Sequence, residues 1–335
     1  MKPVPAHAGR LSPWERLAFA VIFALMVAFV IVVTISAAHA REPAARQFGV
    51  GGSTPPGSGG EQHSPGQTAA RPRTGRQSAA RRSADGHAAG RTELAGWDSQ
   101  LAIALRPVLR QQTGSLAVGV IDRSTGVTAT YRAGLQVHTA SIVKADILAA
   151  LLLRHQQEGL ALSRPDRAEA TAMIEQSDDD AGTDLWNEVG AAAGVAAANT
   201  VLKLTHTIPA AAGHWGLTST TVADQLRLLT DLVARSSPLA PASRAFELRL
   251  MERVAASQAW GVPAAASPGT EPAVKNGWLP DPQLWVINSI GVVHRDGQEL
   301  LIAVMSDDQP SEAVGIQQVQ QAAVAAAETV TGLAA

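Results

Sequence analysis

Lysine is the residue type that points to candidate chemistry in this sequence. The 335 residues contain four lysines against 23 arginines, so arginine supplies most of the positive charge. An amine can lose its proton and act as a base, whereas a guanidinium cannot. Lys144 follows Ser141 by three residues, and positions i and i+3 lie on the same face of a helix. A neighbouring amine with a lowered pKa can take the serine proton and create a nucleophile.

The position of Ser141 in the predicted secondary structure is consistent with that chemistry. It opens an apolar helix that we predict to run to about His155. At a helix N-terminus the dipole and the free N–H groups favour developing negative charge. The structural alternative is that Ser141 only caps the helix, since serine is a preferred N-cap residue and the spacing also arises by chance. The spacing alone leaves both interpretations open.

Two further short motifs follow in the same chain. Ser177-Asp178-Asp179 comes after an apolar stretch, and Lys275-Asn276-Gly277 lies on a predicted strand. The structural alternatives are that the serine and aspartate cap a helix and that the lysine is a solvated strand residue. The ordered motifs Ser-x-x-Lys, Ser-Asp-Asn and Lys-Thr-Gly mark the penicillin-recognising serine enzymes. Residues 94–335 therefore resemble the class A β-lactamase and D-alanyl-D-alanine carboxypeptidase superfamily.

The resemblance implies a role for each motif residue. Ser141 would attack a carbonyl, Lys144 would be its base or proton relay, and Ser177 would pass a proton to the leaving nitrogen. Lys275 would bind the substrate carboxylate. The Ser141 N–H and a strand N–H at 276–278 would form an oxyanion hole. The implied partner is a small-molecule β-lactam or a peptidoglycan stem peptide, with no metal or organic cofactor.

Three further positions complete the predicted substrate-binding set, and two of them depart from the family pattern. They are Asp179, Asn276 and Gly277. Asp179 replaces the asparagine of Ser-Asp-Asn and should raise the pKa of Lys144 if it points inward. Asn276 replaces the threonine of Lys-Thr-Gly, although its amide could still donate to a substrate carboxylate.

The third departure concerns deacylation. Class A enzymes use a glutamate on an omega loop between the second and third motifs, but no acidic residue lies between Glu188 and Asp224. We therefore expect slow hydrolysis of an acyl-enzyme. His206 or His214 could substitute as base, or be structural. The rivals are a catalytically degenerate domain that binds peptidoglycan or a protein partner at the cell surface, and a membrane-tethered structural domain without a site.

The pattern of apolar residues predicts an α+β fold. Residues 94–112 read as a helix, 116–121 and 127–131 as a hairpin, and 166–203 and 220–256 as helical blocks. Three strands follow at 274–278, 284–293 and 299–306, and a helix at 311–330 ends the domain. We expect one antiparallel sheet of about five strands flanked by helices, with a helical lobe.

The first forty residues predict export. Residues 17–38 form an uncharged apolar run that is long enough to span a bilayer as a helix. The basic residues of segment 1–16 predict a cytoplasmic N-terminus. The length of the apolar run at 17–38 favours an uncleaved signal anchor. The alternative is cleavage after Ala40, in the pattern Ala38-His39-Ala40. We therefore expect a single-pass protein of the cell membrane with its domain outside the cytoplasm, or a secreted one.

Composition excludes several other classes of protein. Residues 41–92 are rich in Gly, Pro, Ser and Arg and predict a disordered linker. A net charge of −2 argues against nucleic-acid binding. The absence of cysteine excludes disulfides, thiolate metal sites and cysteine catalysis. The histidines show no zinc-site spacing, and we expect a monomer.

Overall fold

The computed structural model describes residues 96–111, 114–211, 213–281 and 283–332. The apolar run at 17–38 and the linker at 41–92 lie outside these ranges, so the membrane segment and the tether stay predictions. None of the helices in the described ranges has both the length and the apolar character that crossing a bilayer requires.

A five-stranded antiparallel sheet forms the centre of the domain. Its strands lie in the order β2-β1-β7-β6-β5. Their bounds are β1 (Ser115–Asp122), β2 (Thr128–Tyr131), β5 (Ala273–Asp281), β6 (Leu284–Arg295) and β7 (Gln298–Gln309). Two short strands, β3 (Val137–His138) and β4 (Ser219–Thr220), pair separately. The predicted hairpin and the three late strands are confirmed, and so is the antiparallel sheet of about five strands.

Helices cover both faces of the sheet. Residues 96–104 are helical, and the labelled helices follow: α1 (Arg106–Leu109), α2 (Val143–Glu158), α3 (Arg164–Thr171), α4 (Asp179–Glu188), α5 (Ala191–Leu202), α6 (Val222–Val233), α7 (Pro241–Met251) and α8 (Glu312–Thr331). The predicted helix at 94–112 is interrupted at Leu105, just before Pro107 in the first turn of α1. Proline is tolerated in a first turn because its missing N–H has no helical partner there.

Strand β7 shows how the two layers share the sheet. Alternate side chains point to opposite faces of a strand. Leu300, Ile302 and Val304 pack in the cluster that contains α8, whereas Leu301, Ala303 and Met305 pack in the cluster that contains α2 and α6. Because both faces are buried, this strand is an almost continuous apolar run rather than an alternating one. The fold is α+β, and α2 starts on the side of the sheet that carries the helical lobe.

Candidate active site

The backbone before Ser141 is fixed by the neighbouring strands. A 3₁₀ turn (Ala140–Ile142) leads into α2. The buried Asn288 of β6 donates from Nδ2 to the carbonyls of His138 at 2.8 Å and Thr139 at 3.0 Å. Ala140 has φ +47°, an unusual conformation for a residue with a side chain. Conformations of this kind persist where the surroundings enforce them, often at functional sites.

Strand β5 approaches the same turn through Gly277. A Cβ atom at this position would lie 2.6 Å from the Ser141 nitrogen and 2.8 Å from the Thr139 carbonyl oxygen. Those are backbone atoms, so they cannot rotate away. The absence of a side chain at residue 277 is what lets the third motif lie against the first.

Replacing Gly277 with alanine should therefore separate β5 from the Ser141 turn. Overpacking of this kind costs about 1–3 kcal/mol, which corresponds to a fall in Tm of roughly 2–12 °C for a domain of this size. Thermal unfolding followed by circular dichroism measures the change. Gly134→Ala is the matched control, because a Cβ there meets no atom within 4 Å. Equal melting temperatures for the two variants would contradict the argument.

Ser177 lies between the lysine amines of the first and third motifs. A π-helical turn (Ala172–Gln176) follows α3 and delivers Ser177 in the left-handed region, at φ +57°. The Ser177 Oγ accepts from Lys144 Nζ at 3.2 Å and from Lys275 Nζ at 3.0 Å. Single π-turns inside helices are frequent at functional sites. The second motif thus meets both lysines at one hydroxyl.

Lys144 is fully buried and surrounded by acceptors. Its Nζ also donates to the Ser177 carbonyl at 2.6 Å and to Asp179 Oδ1 at 2.6 Å. Its amine lies 4.8 Å from the ring centroid of Trp215. Burial lowers the pKa of Lys144, and Asp179 opposes that shift without cancelling it. The sequence predicted the sign of the aspartate's effect, but burial decides the net direction.

The geometry differs from one expectation about Lys144. The helical spacing predicted its amine beside the Ser141 hydroxyl. Among the described residues, Lys144 Nζ bonds to Ser177 and Asp179, and no hydrogen bond joins it to Ser141. The Lys144 amine instead donates to three acceptors on the other side of it, the carbonyl and hydroxyl of Ser177 and the carboxylate of Asp179.

Lys275 and Asn276 point to opposite sides of β5. The buried Lys275 donates to Ser177 and to the Asn276 carbonyl at 2.9 Å. Burial, assisted by the charge of Lys144, holds its pKa well below the usual range. Asn276 donates from Nδ2 to the carbonyls of Gln258 at 2.6 Å and Trp260 at 2.9 Å. Its amide is therefore engaged inside the domain and, contrary to the prediction, is not free to meet a substrate carboxylate.

A cavity of about 280 Å³ lies beside these motifs. Its lining includes Ser141, Asp179, His214, Trp215 and Trp278. The walls are thus aromatic, with a hydroxyl and a carboxylate exposed to the same space. Within the described ranges, no group of three or more metal-ligating side chains is positioned to hold an ion.

The two histidines considered as substitute bases differ in position. His214 is exposed and lines the cavity. His206 contacts the Thr205 hydroxyl through Nδ1 at 3.0 Å, and it is not among the residues that line the cavity. Of the two histidines, His214 is therefore the one that lines the cavity with Ser141.

Sequence reasoning did not identify Asn288 and left the role of Trp215 open. Asn288 is a polar residue inside the apolar strand β6, and a polar residue in such a strand could have been recognised as a candidate site residue from the sequence. Trp215 lies over the Lys144 amine and donates from Nε1 to the Thr183 hydroxyl at 3.1 Å. Both residues position the Ser141–Lys144 segment, Asn288 from the sheet and Trp215 from the loop before β4.

Comparison with known proteins agrees with this geometry. Residues 167–330 match the model of a family described as the Beta-lactamase enzyme family. A protein with the provisional name lipoprotein LppW, from Mycobacterium tuberculosis (strain ATCC 25618 / H37Rv), is 30% identical over 175 residues. The match covers 49% of this chain and 54% of the relative, so the chain spans about half the length of the curated relatives it matches.

Solved structures share the fold over most of the described residues. A variant of PBP-A, in an acyl-enzyme complex with penicillin G, superimposes with a TM-score of 0.61 at 20% identity, covering 70% of this chain and 97% of that one. A class A β-lactamase from Bacteroides cellulosilyticus DSM 14838 gives a TM-score of 0.62 at 14% identity, covering 70% and 99%. Residues 167–330 thus match a β-lactamase family model, and the described part of the chain has the fold of class A β-lactamases and PBP-A.

Proposed function

We propose that this protein is an exported serine hydrolase that forms an acyl-enzyme on Ser141 with β-lactams or D-alanyl peptides. The observation that carries the proposal is the Ser177 hydroxyl, which accepts from both Lys144 and Lys275 behind the cavity that Ser141 lines. One hydroxyl between two amines, with a half-buried serine lining the cavity, is an arrangement suited to moving protons during acyl transfer.

The proposed acylation uses these groups in sequence. Ser141 Oγ attacks the substrate carbonyl carbon and gives its proton to Lys144, whose burial favours the neutral amine. Ser177 donates its proton to the leaving nitrogen as the C–N bond breaks. Lys144 Nζ, 3.2 Å away, returns a proton to Ser177 Oγ. Hydrogen bonds of this kind often tighten only once substrate is bound, so the missing contact between Lys144 and Ser141 does not oppose the scheme.

Two further features support binding of an acidic carbonyl substrate. Lys275 is the second amine that contacts Ser177 Oγ, and its protonated form would suit a substrate carboxylate. The Ser141 N–H and an N–H from β5 would form the oxyanion hole, since Gly277 brings the strand against that turn. PBP-A, which shares the fold, has a variant that forms an acyl-enzyme with penicillin G.

Export is part of the proposal. The uncharged run at 17–38 would carry the domain across the cytoplasmic membrane, with the 41–92 segment as a tether. The curated relative's name, lipoprotein, supports an association with a membrane. We propose a monomer that acts on small molecules or stem peptides at that surface.

The test is the intact mass of the full chain after mixing with benzylpenicillin. We expect an adduct on the wild-type protein and none on Ser141→Ala, because the alanine has no nucleophile. Ser124→Ala is the control, since Ser124 lies in the turn between β1 and β2, away from the motifs. Failure of the wild type to form any adduct would reject the proposed function.

A second function is favoured by one pair of observations. One oxygen of Asp179 accepts from the Lys144 amine, and the Asn276 amide is turned into the domain, so two groups expected to meet substrate make contacts within the protein. That arrangement suits a degenerate domain which binds peptidoglycan or a protein partner without acylation. Such a protein would give no covalent adduct but would still bind stem peptide, as calorimetry would show.

A further inference from the structure

The acid that the omega loop lacks has a candidate replacement elsewhere in the site. The described part of that loop which lines the cavity consists of residues 213–217, and it presents an imidazole, an indole and apolar groups but no carboxylate. A water molecule that attacks an acyl-enzyme needs a base to accept its proton. A carboxylate that serves as this base must therefore come from another wall of the cavity.

Asp179 is the carboxylate on that other wall. Its side chain is 75% exposed, and it lines the same cavity as Ser141. The neighbouring acids are placed differently. Asp178 caps α4 by accepting from the Ala181 N–H at 2.9 Å, and Asp180 is exposed but does not line the cavity.

One oxygen of Asp179 is held and the other is open. Oδ1 accepts from Lys144 Nζ at 2.6 Å, whereas Oδ2 accepts no hydrogen bond from any described residue. The Lys144 contact fixes the carboxylate, since that amine is itself fixed by two bonds to Ser177. A held carboxylate that lines the same cavity as Ser141, with one oxygen free of hydrogen bonds from the described residues, is placed where it could accept a proton from water.

We infer that Asp179 is the deacylation base of this enzyme, an inference that rests on the proposed acyl-enzyme. Asp179 Oδ2 removes a proton from a water molecule in the cavity. The water oxygen bonds to the carbonyl carbon of acyl-Ser141, and the bond from that carbon to Ser141 Oγ breaks. The proton passes to Ser141 Oγ, so the free serine and a carboxylic acid product are released. The base for hydrolysis is thus assigned to Asp179, the third residue of the second motif.

The test is the lifetime of the benzylpenicillin adduct in the full-length Asp179→Asn protein. The variant should still form the adduct, because the substitution lowers the pKa of Lys144 further by removing the opposing charge. After removal of free penicillin, the adduct should decay about 10²–10⁴-fold more slowly than in the wild type, the usual loss for a general base. Time-resolved intact mass measures both steps in one sample.

Two matched variants make the outcome decisive. Asp180→Asn removes an exposed acid from the next position of α4 and should leave the decay unchanged. His214→Ala removes the histidine that lines the cavity. If the wild-type adduct forms and decays while Asp179→Asn decays equally fast, the inference is rejected and the proposed function stands. A wild-type adduct that never decays also rejects the inference, and so does a slow decay confined to His214→Ala. If the wild type forms no adduct, the proposed function fails first.

Discussion

Lys144→Arg should slow acylation of Ser141 by benzylpenicillin about 10²–10⁴-fold, the usual contribution of a general base. Arginine keeps the positive charge but cannot lose its proton in a protein. The Lys144 amine is fully buried, and burial lowers its pKa toward the neutral form. A purely electrostatic role would survive the substitution, whereas a proton-accepting role would not.

The measurement is the rate of adduct formation, followed by intact mass of samples quenched at increasing times after mixing. Thermal unfolding of each variant shows whether it is folded. Lys203→Arg is the control, because Lys203 is an exposed residue at the end of α5. A guanidinium is larger than an amine, so Lys144→Met serves as a second variant that removes the base without adding bulk. Acylation at the wild-type rate by a folded Lys144→Arg protein would remove Lys144 from the proposed mechanism.

The fold could be predicted because its signals are local. Runs of apolar residues with strand and helix spacing gave the hairpin, the three late strands and the last helix. The three motifs carried the superfamily resemblance, which the family match and the solved structures confirm. Predicted boundaries were less exact. Pro107 divides the first helical region, and a π-turn precedes Ser177.

The contacts within the site could not all be predicted, for different physical reasons. The engagement of Lys144 with Asp179 depends on how α2 and α4 pack, and a tertiary distance of this kind is not encoded in spacing along the chain. The orientation of Asn276 could have been found, since alternation along a strand puts it on the face opposite Lys275. The similarity to Lys-Thr-Gly instead predicted a contact between Asn276 and a substrate carboxylate.

Two buried acids in the helical lobe were also missed, although one carried a signal. Asp146 lies inside the apolar helix α2, and Glu247 lies on α7; both are buried. Asp146 receives the amide of Gln225 at 3.3 Å, whereas neither carboxylate oxygen of Glu247 has a partner among the described residues. Burial raises the pKa of Asp146 to about 7, and the charge of Asp224 adds to the shift. Burial, with Asp146 nearby, raises the pKa of Glu247 well above its usual range.

These raised values make stability depend on pH in a definite direction. An unfolded glutamate ionises near its ordinary pKa of 4.5, whereas the folded Glu247 keeps its proton to higher pH. Between those two values the folded state binds more protons than the unfolded state, so the free energy of unfolding falls as pH rises. The loss is about 1.4 kcal/mol for each pH unit in that window. Below pH 4 the group contributes no pH dependence, because both states are protonated.

Glu247→Gln should remove this loss, because an amide resembles the neutral acid in shape and does not ionise. The variant should match the wild type near pH 4, and its free energy of unfolding should exceed that of the wild type by a margin that grows with pH, by about 1.4 kcal/mol for each pH unit over which only the folded Glu247 stays protonated. Urea unfolding at pH 4, 5.5 and 7 measures the gap, and Glu252→Gln, an exposed glutamate just beyond α7, is the control that should show none. A constant difference across pH would mean that Glu247 ionises normally in the folded protein. The glutamate lies in the helical lobe and is absent from the cavity lining, so adduct formation with benzylpenicillin at pH 5.5 should be unchanged.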